Sequence, residues 1–115
     1  MAENVFGNTY HFEKAFTEYF KELDEKDKQF AEFYVAMMNE TAKNCTIDFR
    51  DGGTVTLVNG RRKNDGTYAQ DGDKLTVKGL PQFPEEGTVL ESSIDFVQRN
   101  EGDDTGVIHI VFRKI

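Results

Sequence analysis

Cys45-Thr46-Ile47-Asp48-Phe49-Arg50-Asp51-Gly52-Gly53-Thr54-Val55-Thr56-Leu57-Val58-Asn59-Gly60 is the stretch that decides the fold. Cys45, Ile47 and Phe49 alternate with Thr46, Asp48 and Arg50. Beyond Asp51-Gly52-Gly53 the alternation resumes, with Val55 and Leu57 against Thr54 and Thr56. A period of two marks strands with one apolar and one polar face. Asp-Gly and Asn-Gly between such runs are hairpin signals, because tight hairpins need positive φ, which Gly, Asn and Asp tolerate best.

The same wording continues downstream. After Asn59-Gly60 come Arg61-Arg62-Lys63 and Gly66-Thr67-Tyr68-Ala69. After Asp71-Gly72, Leu75 and Val77 alternate with Lys74, Thr76 and Lys78. Residues 79–87 hold both prolines and read as a loop. Residues 88–98 read as one longer strand, with Leu90, Ser92, Ile94, Phe96 and Gln98 on one face. Residues 100–104 read as an acidic turn. In 106–114, Ile108, Ile110 and Phe112 share a face opposite Val107, His109, Val111 and Arg113.

Upstream, residues 5–12 read as a first strand, with Tyr10 and Phe12 on one face. Residues 13–43 contain neither Gly nor Pro. Phe16, Phe20, Leu23, Phe30, Phe33, Tyr34, Met37 and Met38 follow helical spacing. A single helix of that length would run about 45 Å, more than the roughly 30–35 Å width expected of so small a domain. The polar stretch 24–28, with Asp24 as N-cap, predicts a break giving two amphipathic helices. One unbroken helix is the alternative, since Leu23 to Phe30 keeps phase. The Phe and Met stripe is expected to be mainly core, with Met37 and Met38 able to form part of a pocket wall.

The fold class expected is mostly β with one helical segment: a single domain over 1–115, a small antiparallel meander barrel or half-barrel of about seven strands. A cystatin-like α+β roll is the alternative. The chain has 115 residues, 37% of them hydrophobic, with ten Phe, four Tyr and no Trp. That suffices for one core. The net charge of −7 makes nucleic acid and anionic membranes poor partners. No stretch approaches the roughly 20 apolar residues of a membrane span. Residues 1–4 show neither the basic nor the apolar part of a signal peptide.

Two segments carry a family resemblance. Ile47–Thr56 resembles the TFNADGTVT hairpin of bacterial lipocalin-like (calycin) domains, and Gly66–Val77 resembles their GTYxxDGDKLTL hairpin. Gly7-Asn8-Thr9-Tyr10 stands where that family has GTW in its first strand, with one residue inserted and Tyr for Trp. Helices between the first two strands are also similar to the order in fatty-acid-binding proteins, where they form a lid. Those proteins carry an Arg-x-Tyr carboxylate clamp where this chain has Ile110-Val111-Phe112. The resemblance therefore implies a small barrel with an apolar interior. It implies a non-catalytic binding protein for a small apolar molecule, without a cofactor, lined by Tyr10, Phe12, Phe49, Tyr68, Ile94, Phe96 and Ile110. It also implies a monomer of the bacterial envelope or exterior whose signal segment has been removed, with a cytoplasmic location as the alternative. The second functional reading is a protein-interaction module of the cell envelope with a filled core, using the sheet's open edge or exposed loops, with 79–87 and 100–104 as the candidate contact surfaces.

Other residues weigh less. His11 and His109 fall in the first and last strands and would share a side of a closed barrel. Zinc sites usually show a close ligand pair in sequence, and none is present, so no metal is expected. Arg61-Arg62-Lys63 reads as a solvated strand end rather than an anion site. Asn39-Glu40-Thr41 and Asn44-Cys45-Thr46 match the glycosylation pattern and, in a bacterial protein, are chance matches. Cys45 is expected buried and inert, on the face of Ile47 and Phe49.

Overall fold

The computed structural model describes residues 4–80, 83–99 and 106–115. Among them the order is β1 (Thr9–Tyr19), α1 (Glu25–Thr41), β2 (Cys45–Phe49), β3 (Thr54–Asn59), β4 (Arg62–Asp71), β5 (Lys74–Lys78), β6 (Glu86–Leu90), β7 (Ser93–Gln98) and β8 (Gly106–Lys114). The strands pair antiparallel, each with the next, and β8 returns to β1 to close a barrel. The expected meander barrel with one helix is therefore the fold, with eight strands rather than about seven, and not the cystatin-like roll.

The extra strand comes from a turn inside 88–98. Leu90 pairs with Ser93, and Ser92 takes a φ of 62° between them. Leu90 is consequently exposed at the turn, and Val89 is the buried residue of β6. The Asx-Gly hairpins lie where the sequence places them. Gly60 and Gly72 take φ of 63° and 62° between the pairs Asn59–Arg62 and Asp71–Lys74. The turn read at 100–104 lies outside the described residues.

The N-terminal third departs from the sequence reading. Val5–Asn8 is not strand: Asn8 N–H donates to the Val5 carbonyl at 3.0 Å, and the strand starts at Thr9. Residues 13–19 are not helix but the outer half of β1, paired with β8 as far as Tyr19–Gly106. The register shifts between Phe12 and Lys14, a β-bulge. Tyr10 and Phe12 are buried below it and Ala15 above it, while Phe16 turns outward. The bulge breaks the period of two, and the residual spacing of Phe12, Phe16 and Phe20 imitates a helix. The nine residue pairs that β8 offers outweigh the local pattern. The break expected at 24–28 is the true helix start: Asp24 caps α1, its carboxylate accepting from Asp27 N–H at 2.8 Å.

β2 pairs only Thr9–His11 of β1. The edge of β1 beyond that point meets α1 instead. Asn39 takes the place of a strand residue there: its amide oxygen accepts from Ala15 N–H at 2.9 Å, and its amide nitrogen donates to the Ala15 carbonyl at 3.0 Å. Asn39 is thus a structural anchor, with its amide engaged. Ala31, Val35, Met38 and Ala42 form the inward, half-buried side of the helix.

We call the end holding Tyr19, Cys45, Asn59, Arg62 and Gln98 the upper end. The lower half is filled. Tyr10, Ile47, Phe49, Val55, Leu75, Ile94 and Phe96 are all at most 2% exposed. Val5 closes the floor, its N–H donating to the Gln70 side chain at 3.0 Å. Tyr10 and Tyr68 each meet the Phe49 ring edge-to-face, at 5.7 and 4.9 Å between centroids. Gly66 is required where β4 crosses close to β5, since a Cβ there would lie 2.3 Å from the Lys78 carbonyl oxygen.

Candidate functional site

The upper half opens into a cavity of about 1210 Å³. Its apolar wall is built from inward positions of the strands: Phe12 on β1, Leu57 on β3, and Ile110 and Phe112 on β8. Phe83, from the segment before β6, packs edge-to-face on Phe96 at 4.9 Å and on Phe112 at 6.0 Å, and joins that wall. From α1 come Tyr34, Met37, Met38 and Thr41. Phe112 meets Phe12 and Phe96 edge-to-face and also faces the cavity.

Towards the mouth the inward positions turn polar. Asn59 pairs with Arg62, and Leu57 with Asn64, across the β3–β4 hairpin, and all four line the cavity. Asn59 donates to the Thr41 carbonyl at 3.3 Å, tying that hairpin to the end of α1. Across the mouth Arg99 and Glu86 approach to 3.9 Å. The basic run read as a solvated strand end thus contributes one residue, Arg62, to the cavity.

Of the seven residues expected to line a ligand site, Phe12 and Ile110 line this cavity. Tyr10, Phe49, Ile94 and Phe96 are inward and buried but do not line it. Tyr68 lies towards the lower end, its hydroxyl donating to the Arg50 carbonyl at 3.1 Å, beside a smaller polar hollow of about 480 Å³. Sequence reasoning missed Leu57, Phe83, Phe112, Arg62 and Asn64. Strand alternation carried the signal for all but Phe83, since Phe112 shares the face of Ile110, and Arg62 and Asn64 share the face of Tyr68.

The helix stripe is corrected in the same way. No residue of α1 is buried, and Phe30, Phe33, Tyr34 and Met37 are 75%, 65%, 45% and 52% exposed. Apart from Met38, which packs against the core, the stripe is not core. One flank of it, Tyr34 with Met37 and Met38, is cavity wall. Phe16 and Phe20 do not belong to the helix at all and are exposed on and just beyond β1.

Cys45 is buried on the face of Ile47 and Phe49, as expected, and is among the residues that line the cavity. Burial pushes its pKa up to about 11, which keeps the thiol protonated at neutral pH. His11 and His109 do not converge. His109 has Asp95 on Nδ1 and Glu18 on Nε2, so the carboxylates lie on opposite sides of the ring rather than around one point. Among the described residues no group of three or more His, Cys, Asp or Glu side chains is arranged to hold a metal ion. Nor, among them, is any helix long and apolar enough to cross a membrane.

Compared with protein-family models, curated proteins and solved structures, the chain matches none.

Proposed function

We propose that this protein is a non-catalytic binding protein for a small apolar molecule, lipocalin-like in manner, with its site in the upper half of the barrel. The cavity carries the reading. A volume of about 1210 Å³ exceeds the range of typical ligand sites, about 300–1,000 Å³, and so leaves room for one. Phe12, Leu57, Phe83, Ile110, Phe112 and Met38 offer an apolar wall, and Asn59, Arg62, Asn64 and Gln98 offer polar contacts near the mouth. Such a division suits a molecule with an apolar body and one polar end. The methionines on α1 suit a wall that adapts to its contents. The lipocalin-like hairpins add the proposal of a monomer from the bacterial envelope or exterior, for which the genomic sequence upstream of Met1 is the test.

A panel of hydrophobes followed by thermal unfolding tests the binding reading. A true ligand at a hundred times its Kd stabilises by about 2.7 kcal/mol, several degrees for a domain of this size. No shift with any compound at saturation would refute it.

The second reading, an interaction module, is favoured by the exposed apolar face of Phe30, Phe33, Tyr34 and Met37, adjacent on one side of α1. It does not draw on the surfaces expected from the sequence. Residues 81–82 and 100–105 lie outside the described residues, and within 79–87 Leu80 and Phe83 pack into the barrel.

A further inference from the structure

A group of charges on the outer face of the barrel spans three strands. His109 of β8 stands between Glu18 of β1 and Asp95 of β7. Nε2 lies 2.7 Å from Glu18, and Nδ1 lies 2.9 and 3.0 Å from the two oxygens of Asp95. Phe16 of β1 stacks on the imidazole, with centroids 4.8 Å apart and planes 13° from parallel. Both ring nitrogens face carboxylate oxygens, which accept hydrogen bonds. Only the imidazolium, with two N–H groups, satisfies both.

We propose that His109 is a pH-operated clasp: protonated, it fastens the outer half of β1, and with it α1, to the barrel, and neutral, it releases them. The neutral ring has one N–H. Asp95 is the more sheltered partner, its side chain 24% exposed against 53% for Glu18. It also offers both oxygens, so the remaining proton stays on Nδ1. The Nε2 lone pair then faces the Glu18 carboxylate, and attraction becomes repulsion. Glu18 is one residue from the end of β1, at the tip of the strand along which α1 is held. Asn39 fixes the helix to Ala15, and Lys28 lies over the Tyr19 ring at 5.9 Å. Loosening the tip therefore loosens the helix, which forms one wall of the cavity.

The charged neighbours are consistent with this. Burial of the ring opposes its charge, but the hydrogen bonds and charges of Glu18 and Asp95 outweigh it, and the His109 pKa lies above its ordinary value. On β1, Lys14 places its ammonium 5.6 Å from the Phe16 centroid, and Glu13 is taken by Arg113 of β8 at 2.6 Å. On the β7 side, beyond Val97, which pairs with His109, Arg99 approaches Glu86. The inference concerns the strand and helix themselves and holds whether or not the cavity takes a ligand.

Residue-resolved amide hydrogen exchange on the full chain between pH 5.5 and 8.5, corrected for intrinsic rates, tests it, with the His109 titration followed by NMR. The readout is the protection of Thr17–Tyr19 and α1 relative to the β3–β4 amides. The expected result is a severalfold fall in that ratio, with its midpoint at the His109 pKa. Glu18→Gln, which removes an exposed charge and leaves the core intact, lowers that pKa and moves the midpoint with it. His109→Gln abolishes the transition. A ratio independent of pH, or a midpoint that stays put in Glu18→Gln, overturns the proposal. So does an equal fall throughout the barrel, which would show a general contribution to stability instead of a clasp.

Discussion

The two halves of this barrel use the same inward alternation of apolar residues to different ends. In the lower half Tyr10, Ile47, Phe49 and Ile94 belong to one buried cluster, which Val5 joins from the floor. In the upper half Phe12, Ile110 and Phe112 stand at the edge of a space that they do not fill. The difference lies in what meets the strand ends. The N-terminal turn closes the lower end with hydrogen bonds from Gly7 N–H to the Phe49 carbonyl, at 2.9 Å, and from Phe49 N–H to the Asn8 carbonyl, at 3.1 Å. Above, α1 lies along the edge of β1, and its large apolar residues face solvent and the mouth. An inward-facing pattern fixes which side of a strand is interior, and the covering segment decides whether that interior is packed or hollow.

The largest effect expected from this contrast is at Phe49. Phe49→Ala removes a ring packed on Tyr10 and Tyr68 and should cost about 3–5 kcal/mol, read from the denaturant midpoint. A loss below about 1 kcal/mol would mean that the lower half is not the rigid part. Asn39→Ala should come next, at about 1–3 kcal/mol, because it strips Ala15 of both backbone partners. Circular dichroism and exchange should show α1 loosening before the barrel does.

A smaller effect is expected from pH. The folded-state pKa of His109 lies above its unfolded value of 6.5. Its contribution to stability is therefore fully present below about pH 6.5 and is lost as pH rises through the folded pKa. Denaturant titrations across that window should show wild type declining relative to His109→Gln. Parallel curves would count against the ion pairs. The smallest effect is expected at Phe33, 65% exposed on α1: Phe33→Ser should change stability by less than about 0.5 kcal/mol. A large loss would place the stripe in a core after all.

The legible and illegible parts of the sequence follow the same physics. From Cys45 to Lys78 every strand and hairpin could be read, because strict alternation and Asx-Gly turns are local signals. The Asp24 cap was equally local. The outer half of β1 was not legible. Its bulge near Glu13 erased the alternation, and its pairing with β8 depends on residues some ninety positions away. The turn at Glu91-Ser92 lacks Gly, Asn and Pro, so it left no mark between β6 and β7. For the site, the inward faces of Phe12 and Ile110 were readable, but the level at which packing stops was not. That level depends on where Phe83 and α1 come to rest, which no strand pattern encodes.

The central claim is that the hollow upper half takes an apolar molecule and the filled lower half does not. NMR mapping of side-chain resonances during titration with decanol tests this most directly. The account predicts saturable shifts at Phe12, Leu57, Met38, Ile110 and Phe112, with Tyr10, Phe49 and Ile94 unmoved. Shifts confined to Phe30 and Phe33 on the outer helix face, or none at all, would contradict it.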